Sequence, residues 1–177
     1  ILAAIGLFVG VVLHELGHSL VAMHYGFPID SITLWLFGGI AQLTEMPEDW
    51  KQELYIALAG PGVSIVLGLA SVVAFQAIPA GDSLLVGATL FVVGYLAIMN
   101  LALAAFNLLP GFPMDGGRVL RALLGRTRPY AQATQIAAEV GKAFAIFLGL
   151  FGVFIVFNPI LIAMAFFIYI GAASEAQ

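Results

Sequence analysis

The sequence predicts an all-α, multi-pass membrane protein with a small interfacial β-hairpin. Three observations predict it. Hydrophobic types make up 62% of the 177 residues and charged types 9%, against about 45–50% and about 25% in an ordinary soluble domain. Mean hydropathy is +1.08. The apolar residues lie in long runs, separated by short polar or Pro/Gly breaks. There is no Cys, so neither disulfides nor thiolate chemistry is available. Six Lys and Arg in all, with a net charge of -4, argue against a nucleic-acid partner.

The first element is a helix over 1–24. Residues 1–13 are purely apolar and the pattern runs on to His24. At 1.5 Å per residue such a helix measures about 36 Å, enough to cross a bilayer with tilt. The chain starts inside this run and reads as a processed or truncated piece. A signal peptide fits less well: no basic region precedes the run, and His14 and Glu15 follow it in place of a small-residue cleavage site.

Pro28 and Asp30 break the pattern, and "SITLWLF" is rich in β-branched and aromatic types. Two short strands within about 29–43, turning at Gly38–Gly39, are expected here. Their backbone groups would be unpaired in lipid, which puts them at the interface or under protein. The acidic stretch 44–53 is expected in water, with Asp49 capping the next helix.

A second span covers 54–78. Gly60, Pro61, Gly62 and Ser64 in its first half permit close helix approach, and Pro61 is expected to bend it. "PAGD" at 79–82 is a turn, and 84–109 a third span carrying Asn100 and Asn107. "PGFPMDGG" ends it, and a short helix follows over 117–124. A further helix pair covers about 130–173, turning between Gly149 and Pro159. The whole of 1–177 therefore reads as one transmembrane domain, with a core over about 1–124. Arg118, Arg121, Arg126 and Arg128 crowd one connection, which the positive-inside rule makes cytoplasmic. Alternate counting then puts the N-terminus outside and both "HELGH" and Asp115 on the cytoplasmic side of the cell membrane.

"HELGH" sets His14 and His18 one helical turn apart, where two imidazoles can share a metal ion, with Glu15 beside them to take a proton from water. This is the pattern of zinc metalloproteases. A zinc ion supplies a nucleophile near neutral pH and polarises a carbonyl. An ionisable group in a membrane helix needs a reason, since its uncompensated burial costs about 2.5–3.5 kcal/mol or more. The bland alternative is a helix end meeting lipid headgroups.

A catalytic zinc takes three protein ligands and leaves one position open. His24 falls on a different face of the helix, so Asp115, after the "NLLPGFP" break, is the better third candidate. Taken alone, "PMDGG" could equally be an interfacial turn with a capping aspartate. Asn107 could donate to the oxyanion that forms as water attacks the carbonyl, or cap an interrupted helix, and the sequence leaves the two even. Asn100 reads as interhelical glue, and Arg118 and Arg121 as determinants of topology.

"HELGH", "GGIAQL", "AGPGVS" and "NLLPGFPMDGGRVLRALL", in that order, resemble the site-2 protease family of intramembrane zinc metalloproteases over roughly residues 8–173. The resemblance implies one catalytic Zn2+ held by His14, His18 and Asp115, with Glu15 as general base. Asn107 matches the family's asparagine before the aspartate. It implies cleavage of another membrane protein's transmembrane segment within or near the bilayer, releasing a regulator. Prokaryotic members often add an N-terminal helix and PDZ or CBS domains. With five spans expected, the chain looks like the core of a six-helix member lacking its first helix, and "FFIYIGAASE" looks like the last helix of the CBS-bearing branch.

A substrate helix hides its carbonyls in hydrogen bonds and must unwind before attack. The strand pair is expected to take the unwound peptide along its edge. Water is expected through a polar channel from the cytoplasmic side, and substrate where the outer spans part from the helices 1–24, 54–78 and 84–109. A metal transporter would set polar groups at several depths, and a catalytically dead scaffold would have no use for Glu15. Both remain the alternatives.

Overall fold

The computed structural model describes residues 1–27, 29–35, 38–43, 49–79 and 81–176, and for the two strands the backbone alone. Its elements are α1 (Leu2–His24), β1 (Ile29–Trp35), β2 (Gly38–Leu43), α2 (Trp50–Ala77), α3 (Leu84–Asn107), α4 (Asp115–Leu124), α5 (Tyr130–Phe154) and α6 (Pro159–Glu175). Pro28, the acidic residues 44–48 and Ala80, which the sequence assigned to breaks, lie outside the described residues.

Among the described residues α1, α2, α3 and α5 are long and apolar enough to cross a membrane, and α6 is a shorter apolar helix of 17 residues. Their apolar side chains are not hidden inside the protein. Leu20 of α1, Val66 and Val73 of α2, Phe91 of α3 and Phe166 of α6 all stand more than half exposed. So much exposed apolar surface is stable only against lipid. The chain is a polytopic membrane protein.

The expected fold class needs one correction. The backbone of β1 pairs antiparallel with β2, with an irregularity between Ile29 and Ser31. Gly38 and Gly39, expected as the turn, instead stand in β2 opposite Trp35 and Leu34. Two strands form no layer, and an isolated two-stranded ribbon is marginal by itself. The fold class is therefore an all-α helical bundle, and the interfacial hairpin drops out of it.

The residues group into two compact units. The first takes in α1, the strands, α2 from Leu58 onward and α3 to Phe106. Glycines set its helix contacts. A Cβ on Gly17 of α1 would stand 2.8 Å from Val63 Cγ2 and 3.0 Å from the Ala59 carbonyl oxygen of α2. Gly6 and Gly10 of α1 meet Leu96 and Asn100 of α3, and Gly68 of α2 meets Leu101 of α3. In lipid there is little hydrophobic drive between helices, so such close backbone approach carries the association.

The second unit takes in the first turns of α2, the segment from Asn107 onward, and α4, α5 and α6. Its core is Phe112, Ala137, Ala138 and Ala172, with Leu120 and Ala176 packed against them. The turn between α5 and α6 falls at 155–158, inside the expected window. Asn158 caps α6 by accepting from the Ile160 amide at 2.9 Å, and Pro159 follows at the position where a missing N–H costs nothing. Asp49 likewise accepts from the Lys51 amide at 2.9 Å at the start of α2, as its acidic cap position leads one to expect.

Candidate metal centre

α1 is a regular helix, so residues four apart share a face. His14 and His18 meet on it with their Nε2 atoms 3.3 Å apart and their rings edge to face at 4.9 Å. Both are buried, at 3% and 6% exposure. The separation has a plain chemical meaning. Two imidazole nitrogens each about 2.0–2.1 Å from one tetrahedral ion stand about 3.3–3.4 Å apart. The pair has the spacing of two zinc ligands without rearrangement.

α2 completes the surroundings of the pair. A Cβ on Gly60 would run into the Nε2 atoms of both histidines, so the backbone of α2 faces the point the two rings share. One turn on, the fully buried Ser64 has its Oγ 2.9 Å from His14 Nδ1.

Asp115 is held in another way. The segment before it is irregular, and four glycines let backbone lie directly on backbone. A Cβ on Gly116 would strike Leu108 and Leu109, and one on Gly117 would stand 2.5 Å from the Phe112 amide. Gly111 lies against Gly141 of α5, and Gly141 against Phe112. The Phe112 amide donates to the Ala137 carbonyl at 3.3 Å, and its ring is 1% exposed. Pro113, joined to Phe112 by a cis bond, packs on Gly171 of α6. The sequence placed Asp115 on a non-helical stretch. It is instead the first residue of α4, with Met114 as its N-cap.

α4 is fixed at its far end by Arg121, which is 3% exposed. Its Nε donates to Glu53 Oε1 at 2.6 Å, and Nη2 stands 2.5 Å from the same oxygen. The guanidinium lies over the rings of Phe112 and Tyr130, at 5.0 and 4.8 Å. Glu175 stands 3.9 Å away. Arg121 is thus a buried ion-pair partner, a role the sequence did not suggest.

The ligand atoms of His14, His18 and Asp115 lie within 4.8 Å of one another. Two neutral nitrogens and one carboxylate are a zinc donor set, and three ligands leave a position open. Glu15, next to His14, is 8% exposed. Asn107 is half-buried and closes α3. His24 is exposed at the end of α1, against the Tyr25 ring, and is outside the cluster. Asn100 lies between helices, against Gly10 of α1. Its Nδ2 donates to Leu96 of its own helix at 2.9 Å, and its buried Oδ1 has no hydrogen-bond partner among the described residues. Sequence reasoning gave Gly60 and Ser64 only a helix-packing role and passed over the Glu53–Arg121 pair. The available signal was Glu53, the single carboxylate in α2, with a glycine and a serine one turn apart further along.

A helical bundle for the bilayer that gathers a His–His–Asp zinc donor set defines a class, the polytopic membrane metalloproteins. The family follows. The model of peptidase family M50 matches residues 2–89 and 76–148, and the chain belongs to that family, which includes the site-2 proteases. A zinc metalloprotease of Methanocaldococcus jannaschii is 44% identical over 171 residues, covering 97% of this chain and 48% of that protein. A relative from Synechocystis sp. is 41% identical over 160 residues, covering 86% of this chain and 40% of that one. The solved structure of a site-2 protease from Methanocaldococcus jannaschii superposes with a TM-score of 0.78 at 42% identity. It covers 98% of this chain and 76% of the other. The chain thus spans about half or less of the length of these curated relatives.

Proposed function

We propose that the chain is the catalytic membrane part of a zinc-dependent endopeptidase that hydrolyses peptide bonds in or near the transmembrane segments of other membrane proteins. The carrying observation is the His14, His18 and Asp115 cluster with Glu15 buried beside it on α1. Zinc, when bound by these three residues, supplies Lewis acidity toward the substrate carbonyl and a water molecule made nucleophilic near neutral pH.

The chain's own residues supply the rest. Glu15 Oε accepts the proton of the attacking water and delivers it to the leaving amide nitrogen. Its burial keeps bulk water from competing for that proton. The Asn107 amide donates to the carbonyl oxygen as negative charge builds on it. Gly60 lets the α2 backbone pack directly against the histidine nitrogens, where any side chain would strike them, so α2 backs the pair and substrate must reach it from another side. Arg118, Arg126 and Arg128 support a cytoplasmic location for this end of the bundle by the positive-inside rule.

The test compares wild type with Glu15→Gln on a membrane-spanning model substrate, with zinc content measured in both. The expected outcome is cleavage by wild type alone at equal zinc. Cleavage by both would remove Glu15 from the mechanism. Zinc in neither would favour a scaffold or transporter.

A further inference from the structure

The two nitrogens of the His14 ring face different partners. Nε2 faces His18 Nε2 at 3.3 Å, and Nδ1 faces Ser64 Oγ at 2.9 Å. A neutral imidazole carries one proton and offers one lone pair, and the hydrogen bond at one nitrogen decides which nitrogen is left for a metal. We propose that Ser64 is a positioning residue of the metal centre, accepting the Nδ1–H of His14 and so presenting the Nε2 lone pair to the ion. The inference rests on the zinc reading above.

Three observations favour this arrangement over the reverse, in which Ser64 donates to Nδ1 and Nε2 carries the proton. The Nε2 atoms of His14 and His18 already stand at the spacing of a shared ion, so a proton on His14 Nε2 would occupy the ligand position itself. Ser64 is 0% exposed, so no bulk water can replace it as the partner of Nδ1. Gly60 and Ser64 sit four residues apart on α2, on one face of that helix. One clears space at the Nε2 atoms and the other sets the opposite edge of the ring. Ring rotation that brought Nδ1 to the metal would break the Ser64 contact and turn carbon toward His18.

The test uses the 177-residue chain in detergent micelles, with zinc as the probe. Zinc affinity is measured for wild type, Ser64→Ala and Ser71→Ala. Ser71 lies on the same helix, donates to the Leu67 carbonyl at 2.8 Å and serves as the control. Imidazole 15N NMR of the zinc-loaded wild type identifies the protonated nitrogen of His14. Loss of a metal ligand's hydrogen-bond partner costs about 10–100-fold in affinity, and that loss is expected for Ser64→Ala, with Ser71→Ala at the wild-type value. His14 is expected protonated at Nδ1. Wild-type affinity in Ser64→Ala, or a proton on Nε2, would overturn the role of Ser64 while leaving the metal centre standing. A wild type that takes up no zinc would overturn the metal reading, and the role of Ser64 with it.

Discussion

His14 and His18 are held by regularity, and Asp115 by irregularity. The histidines need only an unbroken helix, because the spacing of four does the work, and α2 adds one missing side chain at Gly60 and one hydroxyl at Ser64. The aspartate needs a particular loop. That loop is pressed into place by Gly111, Gly116, Gly117 and Gly141, anchored by the buried Phe112 ring, and followed by a helix pinned at Arg121. The difference teaches where each half is vulnerable. The helix-held pair is sensitive at the few atoms that touch the rings. The loop-held aspartate is sensitive over a much wider region, including residues far from it in sequence.

The comparison is tested most severely at Arg121. Removing one partner of a buried ion pair costs about 3–5 kcal/mol because the other charge is left uncompensated. Arg121→Ala is therefore expected to lower the thermal unfolding midpoint strongly in detergent. Exchanging both partners for apolar residues, Glu53→Leu with Arg121→Met, is expected to restore most of the loss. A double variant as unstable as the single one would show that the charge pair itself organises the loop.

Next in size is Gly60→Ala. Overpacking a close-packed site costs about 1–3 kcal/mol, and here the clash falls on both histidine nitrogens. Zinc affinity is expected to fall by about 100-fold, since 1.4 kcal/mol is a factor of ten. Gly62→Ala, where an added Cβ meets nothing within 4 Å, is expected to bind zinc as wild type does. Metal titration of the two variants side by side checks both.

Gly141→Ala probes the loop-held half from α5. Its Cβ would strike the Phe112 backbone. A loss of about 1–2 kcal/mol is expected in thermal unfolding, against no change for Gly87→Ala, which faces open space. The smallest effect is expected at the bundle's edge. Asn158→Ala removes a cap worth about 1 kcal/mol. It is expected to fray the start of α6, seen as faster amide exchange there, without altering zinc content.

Much of this was legible in the sequence because it is local. Apolar runs fixed α1 at 1–24 against the observed Leu2–His24, and α3 at 84–109 against Leu84–Asn107. His14 and His18 follow from helix spacing, and Asp115 was singled out by the breakers around it. What the sequence hid is non-local. Nothing in "RVLRALL" tells that Arg121 meets a glutamate 68 positions earlier. Ser64 sits in a stretch that reads as helix packing, and only the three-dimensional structure turns it toward His14. The strand pair shows the limit of turn chemistry. Gly38 and Gly39 carry a turn signal, yet both are taken up by pairing with Trp35 and Leu34.

The two carboxylates around Arg121 are held to very different degrees. The guanidinium grips Glu53 at 2.6 Å, with that side chain 6% exposed, but meets Glu175 only at 3.9 Å, with that side chain 32% exposed. A pair that distant and that wet contributes little. The grip on Glu53 latches α4 to α2, while the last turn of α6 is held by Ala172 and Ala176 against the Phe112 core more than by Glu175.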